Sequence, residues 1–161
     1  MHGVSGTVTL NKVTVATQTA ASDSDTVGSG GGIAGSFTLP ARNSLIATNH
    51  DNSGVGPDCF LPALVDDGFG GTMPWATVDS QGYNLIGDST GCSWISGTGD
   101  VLDPAGFTLE TLQDNGGGTL THALVQLTAA VDGGNPAGCT DNNTNGLTVA
   151  LPQSVALARP A

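Results

Sequence analysis

Two stretches near the start of the chain share one alternation of apolar with small or polar positions. Gly6-Thr7-Val8-Thr9-Leu10 leads into Val13-Thr14-Val15-Ala16-Thr17, and Gly35-Ser36-Phe37-Thr38-Leu39 leads into Ser44-Leu45-Ile46-Ala47-Thr48. Alternation with period two, rich in β-branched residues, predicts two short strands in each copy. Gly6 and Gly35 stand 29 residues apart, and the later strands come into line with an insertion in the second copy. The stretch between the copies, Ser22 to Ile33, is built of Ser, Asp, Thr and Gly and can turn but cannot supply a helix. Short strands and turns repeating every few tens of residues mark a solenoid, whose stacked coils bury a core that no single coil can. The inward positions read this way are Val8, Leu10, Val13, Val15, Phe37, Leu39, Leu45 and Ile46. The alternative is a β-sandwich containing two ordinary hairpins.

From Asn49 the pattern becomes irregular. Residues 49–57 are polar and turn-rich, and Leu61 to Trp75 forms an apolar excursion broken by Asp66-Asp67-Gly68 and Gly70-Gly71. Phe107 to Leu112 reads as a short helical turn. His122 to Val131 fits one face of a helix or a bent strand pair, and Gly146 to Leu157 reads as two strands split by Pro152. We therefore place coil repeats in residues 1–55, and further coils with a terminating region in residues 56–161, as one domain overall.

Composition supports the all-β assignment. The 161 residues include 25 Gly and 8 Pro, and Glu110 is the sole glutamate, so the residues that favour helices are scarce. The net charge is −11, with Lys12, Arg42 and Arg159 the only Lys or Arg. Three scattered cations cannot make the basic stripe that nucleic acid requires, and an anionic membrane surface would repel the chain. No apolar run is long enough to span a bilayer, and the N-terminal residues lack the basic and apolar regions of a signal peptide. Strong acidity with almost no lysine points to the extracellular side or the cell surface.

Several motifs occur in one order: Gly56-Pro57-Asp58-Cys59, Ser80-Gln81-Gly82-Tyr83-Asn84-Leu85-Ile86-Gly87-Asp88, Gly91-Cys92, and Gly97-Thr98-Gly99-Asp100. They are followed by Leu112-Gln113-Asp114-Asn115-Gly116-Gly117, Thr119 to Leu124, and Val131-Asp132-Gly133-Gly134-Asn135-Pro136-Ala137. Together these resemble the C-terminal region of bacterial surface proteins of the choice-of-anchor Q and polymorphic-outer-membrane-protein-like group. The resemblance implies a right-handed parallel β-helix with an irregular C-terminal end. Gly118 stands where that group usually has proline, and Val125 to Ala130 departs from its proline-containing turn. The chain begins inside a repeat, so it reads as the terminal piece of a longer solenoid or as a shortened one. Its first coil would present an uncapped edge open to self-association. The two recognised motifs that flank the excursion place Cys59 and Cys92 for a disulfide, with buried free thiols as the alternative and Cys139 left over.

Candidate chemistry is sparse. Gly87-Asp88-Ser89-Thr90-Gly91 satisfies G-x-S-x-G, and His122 and Asp132 would complete a triad in hydrolase order. A serine elbow needs a following helix, however, and here a turn into a strand is predicted. The aspartate pairs Asp23 with Asp25, Asp66 with Asp67 and Asp100 with Asp103 are calcium candidates, with turn capping as the competing role. Trp75 is the candidate ring for stacking on a sugar, whereas Trp94 is expected in the core beside Cys92. His2, His50 and His122 lack clear partners. The expected function is a non-catalytic structural or adhesive module with no cofactor, weakly bound calcium being the one alternative, and with a surface glycan or protein as its partner. The alternatives are a small secreted hydrolase of esters or polysaccharides, and a calcium- or carbohydrate-binding module.

Overall fold

The computed structural model describes residues 2–3, 6–21, 28–62, 64–66, 72–74, 76–125 and 128–138. Among these residues there is no helix, and none of the chain described is long and apolar enough to cross a membrane as one. The strands, in chain order, are β1 (His2–Gly3), β2 (Leu10–Asn11), β3 (Thr14–Ala16), β4 (Thr19–Ala20), β5 (Ile33–Gly35), β6 (Thr38–Arg42), β7 (Leu45–Ala47), β8 (His50–Asp51) and β9 (Cys59–Phe60). They continue as β10 (Leu64–Asp66), β11 (Thr72–Pro74), β12 (Thr77–Ser80), β13 (Leu85–Ile86), β14 (Trp94–Ile95), β15 (Val101–Leu102), β16 (Leu109–Gln113) and β17 (Thr121–Leu124).

Four sheets are parallel, in the orders β1-β5-β9, β2-β6-β12-β14, β3-β7-β13-β15 and β4-β8. Among the described residues two antiparallel pairs, β10-β11 and β16-β17, accompany them. In each parallel sheet the strand order follows the chain order, so each neighbour is one full pass of the chain away. Parallel neighbours cannot be joined by a tight turn, and here the crossover is made of strands in the other sheets.

The first two passes lie 31 residues out of step, as the bonds between Val13 and Ser44, Gln18 and Asn49, and Asn11 and Arg42 record. That register agrees with the alignment of Thr14-Val15-Ala16 with Leu45-Ile46-Ala47. It corrects the alignment of the earlier strands, because Leu10 lies beside Ala41 rather than Leu39, and Thr7 beside Thr38. Corner turns set the register. Lys12, Asn43 and Tyr83 occupy the left-handed region at φ of 59°, 47° and 57°, each just before a strand of the third parallel sheet. Their N–H groups bond onward, Lys12 to the Arg42 carbonyl, Asn43 to that of Gly82, and Tyr83 to that of Thr98. Pro40 explains why the alternation misleads here. It has no N–H to contribute to the ladder with the first pass, and the pairing there splits into the Thr7 bridge and the short β2.

The core is a set of like-with-like ladders. Leu39 lies beside Val78, which lies beside Trp94, and Val15, Ile46, Ile86 and Leu102 line up across the next sheet. Leu39, Val78 and Ile86 are fully buried and Ile46 is 1 % exposed, each burial contributing about 1.5–3 kcal/mol. Val8, Val13 and Val15 pack against this core while half-buried. Leu45 is not an inward position. Its neighbour Ile46 enters the core, so Leu45 points outward by alternation and lines a hollow of about 230 Å³ with Leu85 and Val101. Phe107 to Leu112 is also corrected: residues 109–113 form β16 of the terminal hairpin, not a helical turn. The ambiguous segment begins within β17 (Thr121–Leu124) and continues into a turn over residues 128–133. The strands expected between Gly146 and Leu157 lie outside the described residues.

Candidate functional site

Polar side chains, several of them buried, cluster at two corners, one column at each. In the first, three consecutive passes present Ser44, Asn84 and Asp100 at equivalent places, each followed by an outward and then an inward apolar residue. Each side chain accepts the backbone N–H of its counterpart in the pass before. Val13 N–H donates to Ser44 Oγ (3.2 Å), Ser44 N–H to Asn84 Oδ1 (3.0 Å) and Asn84 N–H to Asp100 Oδ1 (2.9 Å). Asn84 Nδ2 donates to the Ala41 carbonyl and Ser80 Oγ, and Asp100 Oδ2 receives the Trp94 indole N–H and the Gly97 N–H. Trp94 is half-buried against the core, held by that bond.

The second column joins Asn49, Asp58 and the Gly87 to Gly91 turn. Gln18 N–H donates to Asn49 Oδ1, and Asn49 Nδ2 donates to the Val15 carbonyl and to Asp58 Oδ1 (2.8 Å). Asp58, 2 % exposed, also receives Asn49 N–H on Oδ1 and Asp88 N–H on Oδ2 (2.7 Å). Burial pushes the Asp58 carboxyl up, helped by the charge of Asp88, against the lowering effect of those N–H donors. Asp51 shows the reverse balance. Burial raises its pKa, yet bonds from Ser53 Oγ and N–H, Val55 N–H and Gly30 N–H together bring it below the usual value.

These opposite shifts have opposite consequences. The contribution of Asp51 is complete above its unfolded pKa near 3.8 and is lost as pH falls through its lower folded value. The carboxyl of Asp58 favours the fold below 3.8, and that advantage disappears as pH rises through its raised folded value. Asp51→Ala should therefore cost roughly 2 kcal/mol at pH 7, from loss of charge-assisted bonds, and progressively less below pH ~3.8. Urea melts of the two proteins at neutral and acid pH check this. A loss of stability that did not shrink in acid would contradict it.

The Gly87 to Gly91 motif has a packing explanation. A Cβ on Gly87 would sit 2.7 Å from Asp58 Oδ2, and Gly91 has φ of +83° with a Cβ position 3.0 Å from the Cys59 carbonyl oxygen. Ser89 Oγ donates to Asp103 Oδ2 (2.7 Å), Ser89 N–H to Asp103 Oδ1, and Thr90 N–H to Asp88 Oδ1. The chain runs on into β14 rather than a helix. His122 Nδ1 lies 2.7 Å from the Glu110 carbonyl oxygen in the hairpin, and Asp132 is exposed in a turn at φ 58°. Among the described residues no hydrogen bond joins Ser89, His122 and Asp132. The structure thus brings Ser89 to Asp103, a partner that the sequence pattern did not suggest.

Asp100 and Asp103 each accept two or more donors from the protein itself. Among the described residues no group of three His, Cys, Asp or Glu side chains could hold a metal ion. Asp23, Asp25, Asp67, Trp75 and Cys139 lie outside the described residues. Cys59 and Cys92 are joined by a disulfide with a Cα separation of 5.6 Å. His50 is exposed on β8. Along the second parallel sheet lies an open groove of about 580 Å³ of mixed polar and apolar lining, formed by Thr9, Leu10, Asn11, Pro40, Arg42, Asp79 and Gln81. Within it Arg42 Nε donates to Asn11 Oδ1 and Gln81 Nε2 to Asp79 Oδ2. Comparison of the chain with protein-family models, with curated proteins and with solved structures gives no significant match.

Proposed function

We propose that the chain is a right-handed parallel β-helix module of a secreted or surface-displayed protein, with a structural or adhesive role. The observation that carries this reading is the strand order: each parallel sheet takes one strand from each successive pass, with matched registers from sheet to sheet. Right-handedness follows the strong preference of parallel crossovers. The resemblance of the Ser80 to Asp88 and neighbouring motifs to choice-of-anchor Q surface proteins supports the same architecture. The Cys59–Cys92 disulfide supports an oxidising, extracellular setting.

The hydrophilic groups that suggested catalysis or calcium binding have structural work in this reading. Ser89, Asp100 and Asp103 bond backbone N–H groups or one another at the corners, which is what a stack of short strands needs where its ladders stop. A second reading, a carbohydrate-binding module, is favoured by the groove between Asn11 and Gln81, where amide, guanidinium and carboxylate groups flank Pro40. Both readings expect no turnover of acyl esters or common polysaccharides, with calcium or with chelator, from protein whose circular dichroism is that of a folded β protein. Turnover abolished by Ser89→Ala and His122→Ala in folded protein would overturn them in favour of a hydrolase. Retention on a glycan array that is lost in Arg42→Ala would select the second reading over the first.

A further inference from the structure

The chain contains two Asn-Gly steps, Asn115-Gly116 and Asn145-Gly146, and the first lies in the turn between β16 and β17. Such a step can modify itself. The backbone nitrogen that follows the asparagine closes a five-membered ring on the side-chain carbon, and glycine, with no Cβ, hinders that approach least. Two observations at this turn concern the atoms that react. Gly116 N–H, on the attacking nitrogen, donates to Asp114 Oδ1 at 2.8 Å. Asn115 Nδ2, the leaving nitrogen, donates to the Thr121 carbonyl (2.9 Å) and to Thr121 Oγ1 (3.0 Å), which holds the side-chain amide in one place. A carboxylate therefore stands on the proton that must leave, in a turn whose residues 114–119 are exposed. Packing does not oppose the rearrangement. Gly116 has φ of +87°, and among the described residues nothing lies within 4 Å of a Cβ built on Gly116 or Gly118.

We propose that Asn115 is a self-modification site, converted to aspartate and isoaspartate by attack of the Gly116 nitrogen with the Asp114 carboxylate as general base. The bond from Gly116 N to Asn115 Cγ forms as Asp114 takes the N–H proton. The Cγ–Nδ2 bond then breaks, and the departing nitrogen receives a proton back through water and leaves as ammonia. Water next adds to either carbonyl of the succinimide ring. Opening one C–N bond gives aspartate; opening the other gives isoaspartate, whose main chain runs through the side-chain carbons. The net change is one water consumed and one ammonia released, with no oxidant or reductant.

Either product puts a carboxylate where the two Nδ2 donors stood, facing the Thr121 carbonyl and close to Asp114. The bonds that tie the turn to the start of β17 are then lost. The reaction requires only the terminal hairpin and is independent of the coil reading.

The full chain is held at mildly alkaline pH, sampled over days, and mapped by mass spectrometry of its peptides, with isoaspartate counted by an isoaspartyl methyltransferase. The expected result is loss of the amide at residue 115 in the folded protein, with isoaspartate among the products. Asp114→Asn keeps an acceptor for the Gly116 N–H but cannot take its proton. Its rate should fall about tenfold, less than the roughly 10²–10⁴-fold typical of general bases because this one competes with solvent. Asn115→Gln, whose side chain is one carbon longer, should keep its amide. A folded chain that keeps its amide at residue 115 overturns the proposal, and the urea-unfolded chain run beside it reports whether the conditions suffice. Conversion to aspartate without isoaspartate also overturns it, because that marks direct hydrolysis instead of ring closure. An equal rate in Asp114→Asn, with an unchanged circular dichroism spectrum, overturns the role of Asp114.

Discussion

Replacing Cys59 and Cys92 together by alanine is expected to lower stability by about 4 kcal/mol, the largest loss from any single crosslink or side-chain cluster described above. The disulfide closes a loop with a sequence separation of 33. Chain entropy alone assigns to a loop of that length roughly 3.7 kcal/mol at 25 °C. A small cavity at fully buried Cys59 adds to this. The loop contains the β10-β11 hairpin together with β12 and β13, so its closure restrains the chain where it leaves the parallel stack and returns. Beside it, Leu61 forms a parallel bridge with Cys92, with Leu61 N–H bonded to the Gly91 carbonyl and Ser93 N–H to the Leu61 carbonyl. The double substitution is the informative one, because removing a single cysteine leaves its partner as a free, reactive thiol. Urea unfolding of the oxidised chain and the double variant measures the difference. Native domains have about 5–15 kcal/mol in total, so the variant should be at the margin of folding at 37 °C. A loss below about 1 kcal/mol would mean that the unfolded chain gains little freedom from opening this loop.

The parts of the fold that could be read from the sequence are those where one residue type does one thing. Alternation at Val13 to Thr17 and Ser44 to Thr48 places β3 and β7 in register, because the inward Val15 and Ile46 stack directly. The alignment of the earlier strands failed for two physical reasons. Pro40 interrupts the ladder without interrupting the apolar alternation, and the corner at Lys12 and Asn43 sets the spacing through φ angles, which hydrophobicity does not report. The terminal hairpin was obscure because β16 and β17 leave Leu112 and Leu124 exposed, at 55 % and 41 %, so no buried face imposes a period of two.

The polar columns were legible and were missed. Ser44-Leu45-Ile46, Asn84-Leu85-Ile86 and Asp100-Val101-Leu102 are one pattern, a polar residue before an outward and an inward apolar one, preceded each time by a residue at positive φ. The varied spacing between copies hid it, since the excursion lengthens one pass and the next is short. Asp58 gave no comparable signal. Its role depends on Asn49, nine residues away, and on the backbone of Asp88, which only the folded corner brings together.

Asn84 is the centre of the first column, and Asn84→Leu is expected to destabilise the protein by roughly 3 kcal/mol. The side chain is 2 % exposed and does two jobs that leucine cannot. Its Oδ1 accepts the buried Ser44 N–H, and its Nδ2 donates to the Ala41 carbonyl, to Ser80 Oγ and to Asp100 Oδ1. Ala41 keeps the Gln81 N–H as a donor, so the main penalty comes from the orphaned Ser44 N–H and the donor lost by Asp100. Asn84→Asp separates these terms. It retains an acceptor for Ser44 but places a second carboxylate in the position from which Nδ2 reached Asp100 Oδ1 at 3.2 Å. Like charge and burial would raise the pKa of the new carboxyl above its unfolded value. Its protonated form can still donate, so the variant should approach the parent in acid and lose stability as pH rises through the raised pKa. Asn84→Leu should show no such dependence relative to the parent. Urea melts of the three proteins between pH 4 and pH 8 distinguish them, and parallel stability curves for Asn84→Asp and Asn84→Leu would exclude a close contact between positions 84 and 100.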